Sequence, residues 1–161
     1  MAIKVGDRLP EAKFRVMGAD GPGWKSTDEL FKGKKVVLFA VPGAFTPTCH
    51  KNHMPGFVTN HDNIKAKGIS DIFVTSVNDI FVMNEWKKAS AADGKVEVLA
   101  DGAAEFAKAV GLENDMSAGG MGVRSKRYCM VVDDGVVKTL NIEDAPGKAD
   151  VSGAENLLKG L

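Results

Sequence analysis

Only two of the 161 residues are cysteine, Cys49 and Cys129, too few for a disulfide-stapled scaffold. A reducing compartment keeps both as thiols unless one has a redox task, so their local settings decide what they do. Net charge is missing as well: 21 Lys plus Arg balance 21 Asp plus Glu, and no run of one sign exceeds a few residues. That excludes electrostatic recognition of nucleic acid or an anionic membrane. The longest hydrophobic run, Val36 to Val41, falls far short of the roughly 18 residues that cross a bilayer, and the segment from Met1 to Asp7 lacks an apolar signal core. The expectation is a cytoplasmic protein. No repeat, low-complexity tract or linker interrupts the chain, so residues 1–161 are read as one domain, long enough to bury about two-thirds of the unfolded surface.

What is present is a succession of apolar segments punctuated by Gly and Pro. Ser26-Thr27-Asp28-Glu29 has capping-box spacing, and Gly33 stops that short helix before the wholly apolar Val36–Val41, a central strand covered on both faces. Pro42-Gly43 breaks the strand, Thr48 is placed to cap a helix opening at Cys49, and Pro55 is expected to kink it before Phe57 to Lys67. Ile72–Val77 reads as the next strand, Asn78 or Asp79 caps a helix through about Ser90, and Val96–Ala100 forms a further strand. A helix ends at Gly111, and a glycine-rich loop around Gly119, Gly120 and Gly122 leads to the strand Tyr128–Val132. Asp133-Asp134-Gly135 signals a hairpin into Val136–Leu140, and Ser152-Gly153-Ala154-Glu155 reads as the cap of a terminal helix. Helices alternating with strands, then a hairpin and a helix, describe an α/β thioredoxin-like fold with a central mixed sheet flanked by helices.

The stretch from Val41 to Cys49 delivers a cysteine to the first turn of a helix beyond a buried strand. Backbone donors and the helix dipole at such a place favour the thiolate, the species that attacks an O–O bond and leaves a sulfenic acid. A small buried residue at a helix start is the plainer reading of the same cysteine. The departing oxygen needs donors, and Thr46 and Arg127 are the candidates, with Arg124 a competing guanidinium. Thr46 stands where a Cys-x-x-Cys enzyme carries its second cysteine, which excludes local disulfide exchange. Its hydroxyl can instead contact a bound peroxide while bonding the thiolate across one helical turn.

The run Pro42-Gly43-Ala44-Phe45-Thr46-Pro47-Thr48-Cys49 resembles the peroxidatic loop of peroxiredoxins, in the atypical five-type branch that includes plant type-II enzymes. The resemblance extends through Phe31–Lys35, Met54-Pro55-Gly56-Phe57, Ser76-Val77-Asn78-Asp79, Glu85-Trp86 and Lys126-Arg127-Tyr128, essentially the whole chain. It implies a peroxidatic thiolate at Cys49, a peroxide-contacting hydroxyl at Thr46, a shielding ring at Pro42 and a guanidinium at Arg127. It also implies a homodimer, with Phe45 and Asp79–Val82 contributing apolar contacts, hydrogen peroxide and small alkyl hydroperoxides as substrates, and no bound cofactor.

His53 lies one helical turn from Cys49, but two such residues do not make a metal site, and packing is the simpler role. Cys129 sits in a hydrophobic strand, on the same face as Arg127 by its spacing, and reads first as a small apolar side chain, with a disulfide to Cys49 the minority alternative, needing their Cα atoms within about 7 Å or a local opening of the helix. The resolving cysteines of related branches are absent at Phe73–Ser76 and Pro146–Ser152. A one-cysteine cycle follows, with an external thiol as reductant: glutathione plus glutaredoxin, or thioredoxin. The competing readings are a non-catalytic redox sensor or holdase using the same cysteine and, last, a thiol-disulfide oxidoreductase or glutathione transferase.

Overall fold

The computed structural model describes residues 2–161. Lys13–Gly18 (β1) and Gly21–Ser26 (β2) pair as an antiparallel hairpin that leads into Thr27–Phe31 (α1). The capping box is formed: the Ser26 hydroxyl accepts from the Glu29 amide, and the Glu29 carboxylate accepts from the Ser26 amide. The apolar run is Lys35–Ala40 (β3), in which every residue from Val36 to Ala40 is buried. Strand alternation sends Val37 and Phe39 into one apolar layer and Val36, Leu38 and Ala40 into the other, so helices must cover both faces.

Beyond the turn at Pro42 lie a π-helical turn, Cys49–His53, and two short helices, Met54–Thr59 (α2) and His61–Lys65 (α3). Asp71–Ser76 (β4) and Glu97–Ala100 (β5) run parallel to β3, with Ile80–Ala89 (α4) as the crossover between them. Asp79, not Asn78, caps α4 by accepting from the Val82 amide. Glu105–Ala109 (α5) follows, its start held by the Asp101 carboxylate, which accepts from the amides of Phe106 and Ala107. Where a glycine-rich loop is expected, Glu113–Asp115 (β6) and Val123–Ser125 (β7) pair antiparallel around a 3₁₀ turn at Ser117–Gly119. Tyr128–Asp133 (β8) and Val136–Ile142 (β9) form the expected hairpin. Its turn residues Asp134 and Gly135 have φ of 49° and 81°, as a two-residue primed turn requires. Ala154–Gly160 (α6) closes the chain. The sheet order is β2-β1-β5-β4-β3-β8-β9, a thioredoxin-like mixed sheet with β3 near its centre.

Three expectations are corrected. The single kinked helix after Cys49 is broken into pieces. The Met54 amide reaches back five residues to the Cys49 carbonyl, widening the turn that precedes Pro55, whose ring and missing N–H would otherwise conflict with a regular ladder. Asn60 then ends α2, because its side-chain amide competes for the Gly56 carbonyl at 2.8 Å. Thr48 does not cap with its side chain: its backbone is already helical, and its hydroxyl donates to the Gly147 carbonyl at 3.1 Å. Ser152 does not cap α6 either, since its hydroxyl and amide both donate to Glu143, leaving Gly153 at the N-cap without a side-chain bond.

Candidate active site

Where β3 ends, Val41 and Pro42 are buried and the chain turns out through Gly43, Ala44 and Phe45. The turn is held from three sides. Asn78, at the end of β4, accepts from the Ala44 amide at 2.9 Å and from the Ser76 hydroxyl at 2.7 Å. Phe45 sits at φ 64°, a left-handed conformation that a bulky residue adopts only when its surroundings enforce it. Gly43 is closely enclosed: an added Cβ would meet Thr46 Cγ2 at 3.0 Å and Arg124 Nη1 at 3.3 Å, so both side chains would have to give way.

Thr46 donates its hydroxyl proton to the Gly43 carbonyl at 2.7 Å. The expected bond from that hydroxyl to the Cys49 sulfur is therefore not made, because a hydroxyl has one proton to give. The Thr46 carbonyl accepts from the His50 amide at 2.8 Å, and Pro47 and Thr48 are already helical, so Cys49 lies in the first turn. Its side chain is fully buried.

Two guanidiniums compete in the sequence, and the structure separates them. Arg124 donates to the carbonyls of Met121 and Val77 at 2.8 and 3.0 Å and braces the rim. Arg127, only 2% exposed, places Nη2 at 2.9 Å from Cys49 Sγ, Nη1 at 3.0 Å from His53 Nδ1 and Nε at 3.0 Å from the Pro146 carbonyl. No ion pair among the described residues joins Arg127 to a carboxylate. A buried cation is costly unless an anion answers it, and the group in position to do so is the Cys49 sulfur.

His53 has a fixed tautomer. Its Nε2 donates to the Ser152 carbonyl at 2.8 Å, which can only accept, so Nδ1 is left as the acceptor for Arg127. Burial pushes its pKa down to about 3; the Ser152 bond opposes this, and the Arg127 charge adds to it. The unfolded ring titrates near its ordinary value of about 6.5, so the unfolded chain binds the extra proton between roughly pH 6.5 and pH 3. Stability from this group is complete above that window and is lost as pH falls through it. Urea-unfolding midpoints of the native chain are expected to drop more steeply across this range than those of a His53→Gln variant, and parallel curves would refute the assignment. With both Sγ and Nδ1 facing a guanidinium, the metal reading of Cys49 and His53 has no physical support.

Cys129 lies on the Cys49 side of the sheet, opposite Phe39 in β3, as its spacing from Arg127 predicts. It is fully buried, burial pushes its thiol pKa up, and both cysteines are free. His50 accepts from Trp86 Nε1 at 3.1 Å and packs against Phe45, a contact with no simple sequence signal. Glu143 and Ser152 also carry no such signal: they lie nine apart in an irregular segment, where no periodicity marks them as site residues.

A thioredoxin-like sheet that sets a buried helix-start cysteine against a buried guanidinium defines a class of cysteine-dependent redox enzyme. Residues 4–158 match the family model described as Redoxin. The chain is 46% identical over 160 residues to peroxiredoxin-2C of Oryza sativa subsp. japonica, covering 99% of this chain and 98% of that one. Among solved structures it is similar to the reduced Prx3 of Vibrio vulnificus in complex with hydrogen peroxide, with a TM-score of 0.94, 50% identity and 98% coverage of both chains. It is also similar to a Plasmodium falciparum antioxidant protein named a 1-Cys peroxiredoxin, with a TM-score of 0.90, 29% identity and coverage of 99% and 100%. The chain belongs to the redoxin family, in its peroxiredoxin branch of plant type II. It is a thiol-dependent peroxidase.

Proposed function

We propose that this chain, working as a single domain, reduces hydrogen peroxide and small alkyl hydroperoxides by a one-cysteine cycle at Cys49. The observation that carries the reading is the 2.9 Å contact between Arg127 Nη2 and Cys49 Sγ in a site where, among the described residues, no carboxylate pairs with the guanidinium. The thiolate attacks one peroxide oxygen; the S–O bond forms as the O–O bond breaks, sulfur loses two electrons, and the departing hydroxide or alkoxide takes up a proton. Arg127 donates to the oxygens as charge builds on them. Thr46 has already given its proton to Gly43, so toward the peroxide its hydroxyl acts as an acceptor for the O–H of the substrate. Pro42 walls the site without offering an N–H.

The sulfenic acid is then returned to the thiol by an external thiol, glutathione with glutaredoxin or thioredoxin. The first thiol forms a mixed disulfide and releases water, and a second thiol reduces it. No bound cofactor takes part. Cys129 is not the resolver, because its thiol is fully buried and burial works against the thiolate an internal attack needs. The 1-Cys name of the Plasmodium relative supports the same cycle. The chain acts in the cytoplasm, where glutathione and thioredoxin keep both cysteines as thiols. It works as a homodimer that covers Phe45 and Phe81, which are 47% and 63% exposed in the single chain.

Cys129→Ser is expected to turn over hydrogen peroxide at the wild-type rate, within about twofold, when supplied with an external thiol system, as a buried non-reacting side chain should. Loss of turnover in that variant would make Cys129 a resolver. A single oxidation without turnover in the native chain would favour the sensor reading.

A further inference from the structure

The segment between β9 and α6, residues 143–153, passes across the active site and is tied to it by carbonyl oxygens. The Pro146 carbonyl accepts from Arg127 Nε, the Gly147 carbonyl from the Thr48 hydroxyl and the Ser152 carbonyl from His53 Nε2. One side chain anchors this strap. Glu143, just past the end of β9 and nearly buried, accepts at Oε2 from both the amide and the hydroxyl of Ser152, each at 2.7 Å. Its own amide donates to the Arg127 carbonyl at 3.0 Å, so the anchor is registered to the backbone that carries the guanidinium. Ser152 is fully buried, and Gly153 beside it is so tightly folded that an added Cβ would meet the Ala149 carbonyl oxygen at 2.9 Å.

The bonds form an ordered chain. Glu143 fixes Ser152, the Ser152 carbonyl fixes which nitrogen of His53 carries the proton, and the other nitrogen accepts from Arg127 Nη1. With Nη1 and Nε both held, the planar fork leaves Nη2 aimed at Cys49 Sγ. Removing the first link frees the Ser152 carbonyl to drift, and the His53 ring can then turn or change tautomer, which releases one of the two bonds that orient the guanidinium.

We propose that Glu143 is a positioning residue for peroxide reduction: through Ser152 and His53 it aims the Arg127 guanidinium at the Cys49 sulfur. The inference rests on the reading of Cys49 as the attacking atom. Its test uses the full chain and rapid-mixing Trp fluorescence, with Trp86 as a reporter bonded to His50 beside Cys49. Glu143→Ala is expected to slow the reaction with hydrogen peroxide by about 10-fold or more, the scale of a small misplacement in a reacting site, and to move its pH–rate profile to higher pH. The reaction of preoxidised protein with an external thiol should keep its wild-type rate. Glu143→Gln retains an oxygen that can accept from Ser152, and is expected to recover the wild-type rate within about threefold. Ser152→Ala removes one of the two donors and keeps the carbonyl; it should fold, and shift rate and profile by a smaller amount in the same direction.

A merely structural role for Glu143 would lower the melting temperature without moving the pH–rate profile, and that result overturns the proposal. Wild-type rates in Glu143→Ala, or in Ser152→Ala should the first variant not fold, overturn it as well, as does a Glu143→Gln variant as slow as the alanine. A native chain showing no peroxide-dependent fluorescence change would instead count against Cys49 as the reacting sulfur, so the two failures are distinguishable.

Discussion

Replacing Cys49 by serine is expected to abolish peroxide turnover, to below about one thousandth of the native rate, because the nucleophile itself is removed. A serine hydroxyl has nearly the shape of the thiol and can still accept from Arg127 Nη2, so the buried site stays filled and its hydrogen bonds stay paired. The fold should survive with a lowered melting temperature, because a neutral hydroxyl pairs with Nη2 but does not answer the charge of the buried Arg127. The loss of turnover is then chemical: a serine hydroxyl is a far weaker nucleophile toward an O–O bond than the sulfur it replaces. Steady-state consumption of hydrogen peroxide with a thiol reductant checks this, alongside circular dichroism to verify folding. Retention of more than a few per cent of the activity would mean that another group does the chemistry.

The second large effect belongs to Arg127. Its three nitrogens serve three partners in three directions, the Cys49 sulfur, His53 Nδ1 and the Pro146 carbonyl. A lysine ammonium is a single point on a flexible stem and cannot reach all of them at once. Arg127→Lys is therefore expected to slow the peroxide reaction by about 10²–10³-fold, the scale of losing an aimed donor to a developing oxyanion. Arg127→Met should lose at least as much and also destabilise the chain, because His53 Nδ1 is left buried without a donor, at about 1–3 kcal/mol, while the Pro146 carbonyl lies on an exposed residue that water can reach. Rapid mixing at several peroxide concentrations separates loss of rate from loss of binding. A Lys variant within about fivefold of native would show that positive charge alone suffices and that the fork geometry is incidental.

The parts of this site that local pattern can encode were legible in the sequence. Val36–Val41 is apolar at every position because β3 is covered on both faces, and Ser26 and Asp79 cap helices because a short oxygen acceptor precedes an amide run. Cys49 and the turn before it stand out through Pro42, Gly43 and Thr46. The β1–β2 hairpin has no such local signal, since Gly21-Pro22-Gly23 is poor strand sequence; β2 tolerates Pro22 because it is the edge strand of the sheet. The choice between Arg124 and Arg127 could not come from spacing, because it depends on which strand end each side chain leaves and on the carbonyls that claim Arg124. The same holds for Ser152. Its spacing to Glu155 imitates a capping box, but a buried carboxylate nine residues earlier takes both of its donors. Local rules list the bonds a residue can make, and packing decides which of them it makes.

The most direct test is the intact mass of the reduced protein within seconds of adding one equivalent of hydrogen peroxide without reductant, followed by mapping of the modified residue. Gain of one oxygen at Cys49, with Cys129 unmodified, is the predicted result. Loss of two hydrogens through a bond between Cys49 and Cys129, or an unchanged mass, would contradict it.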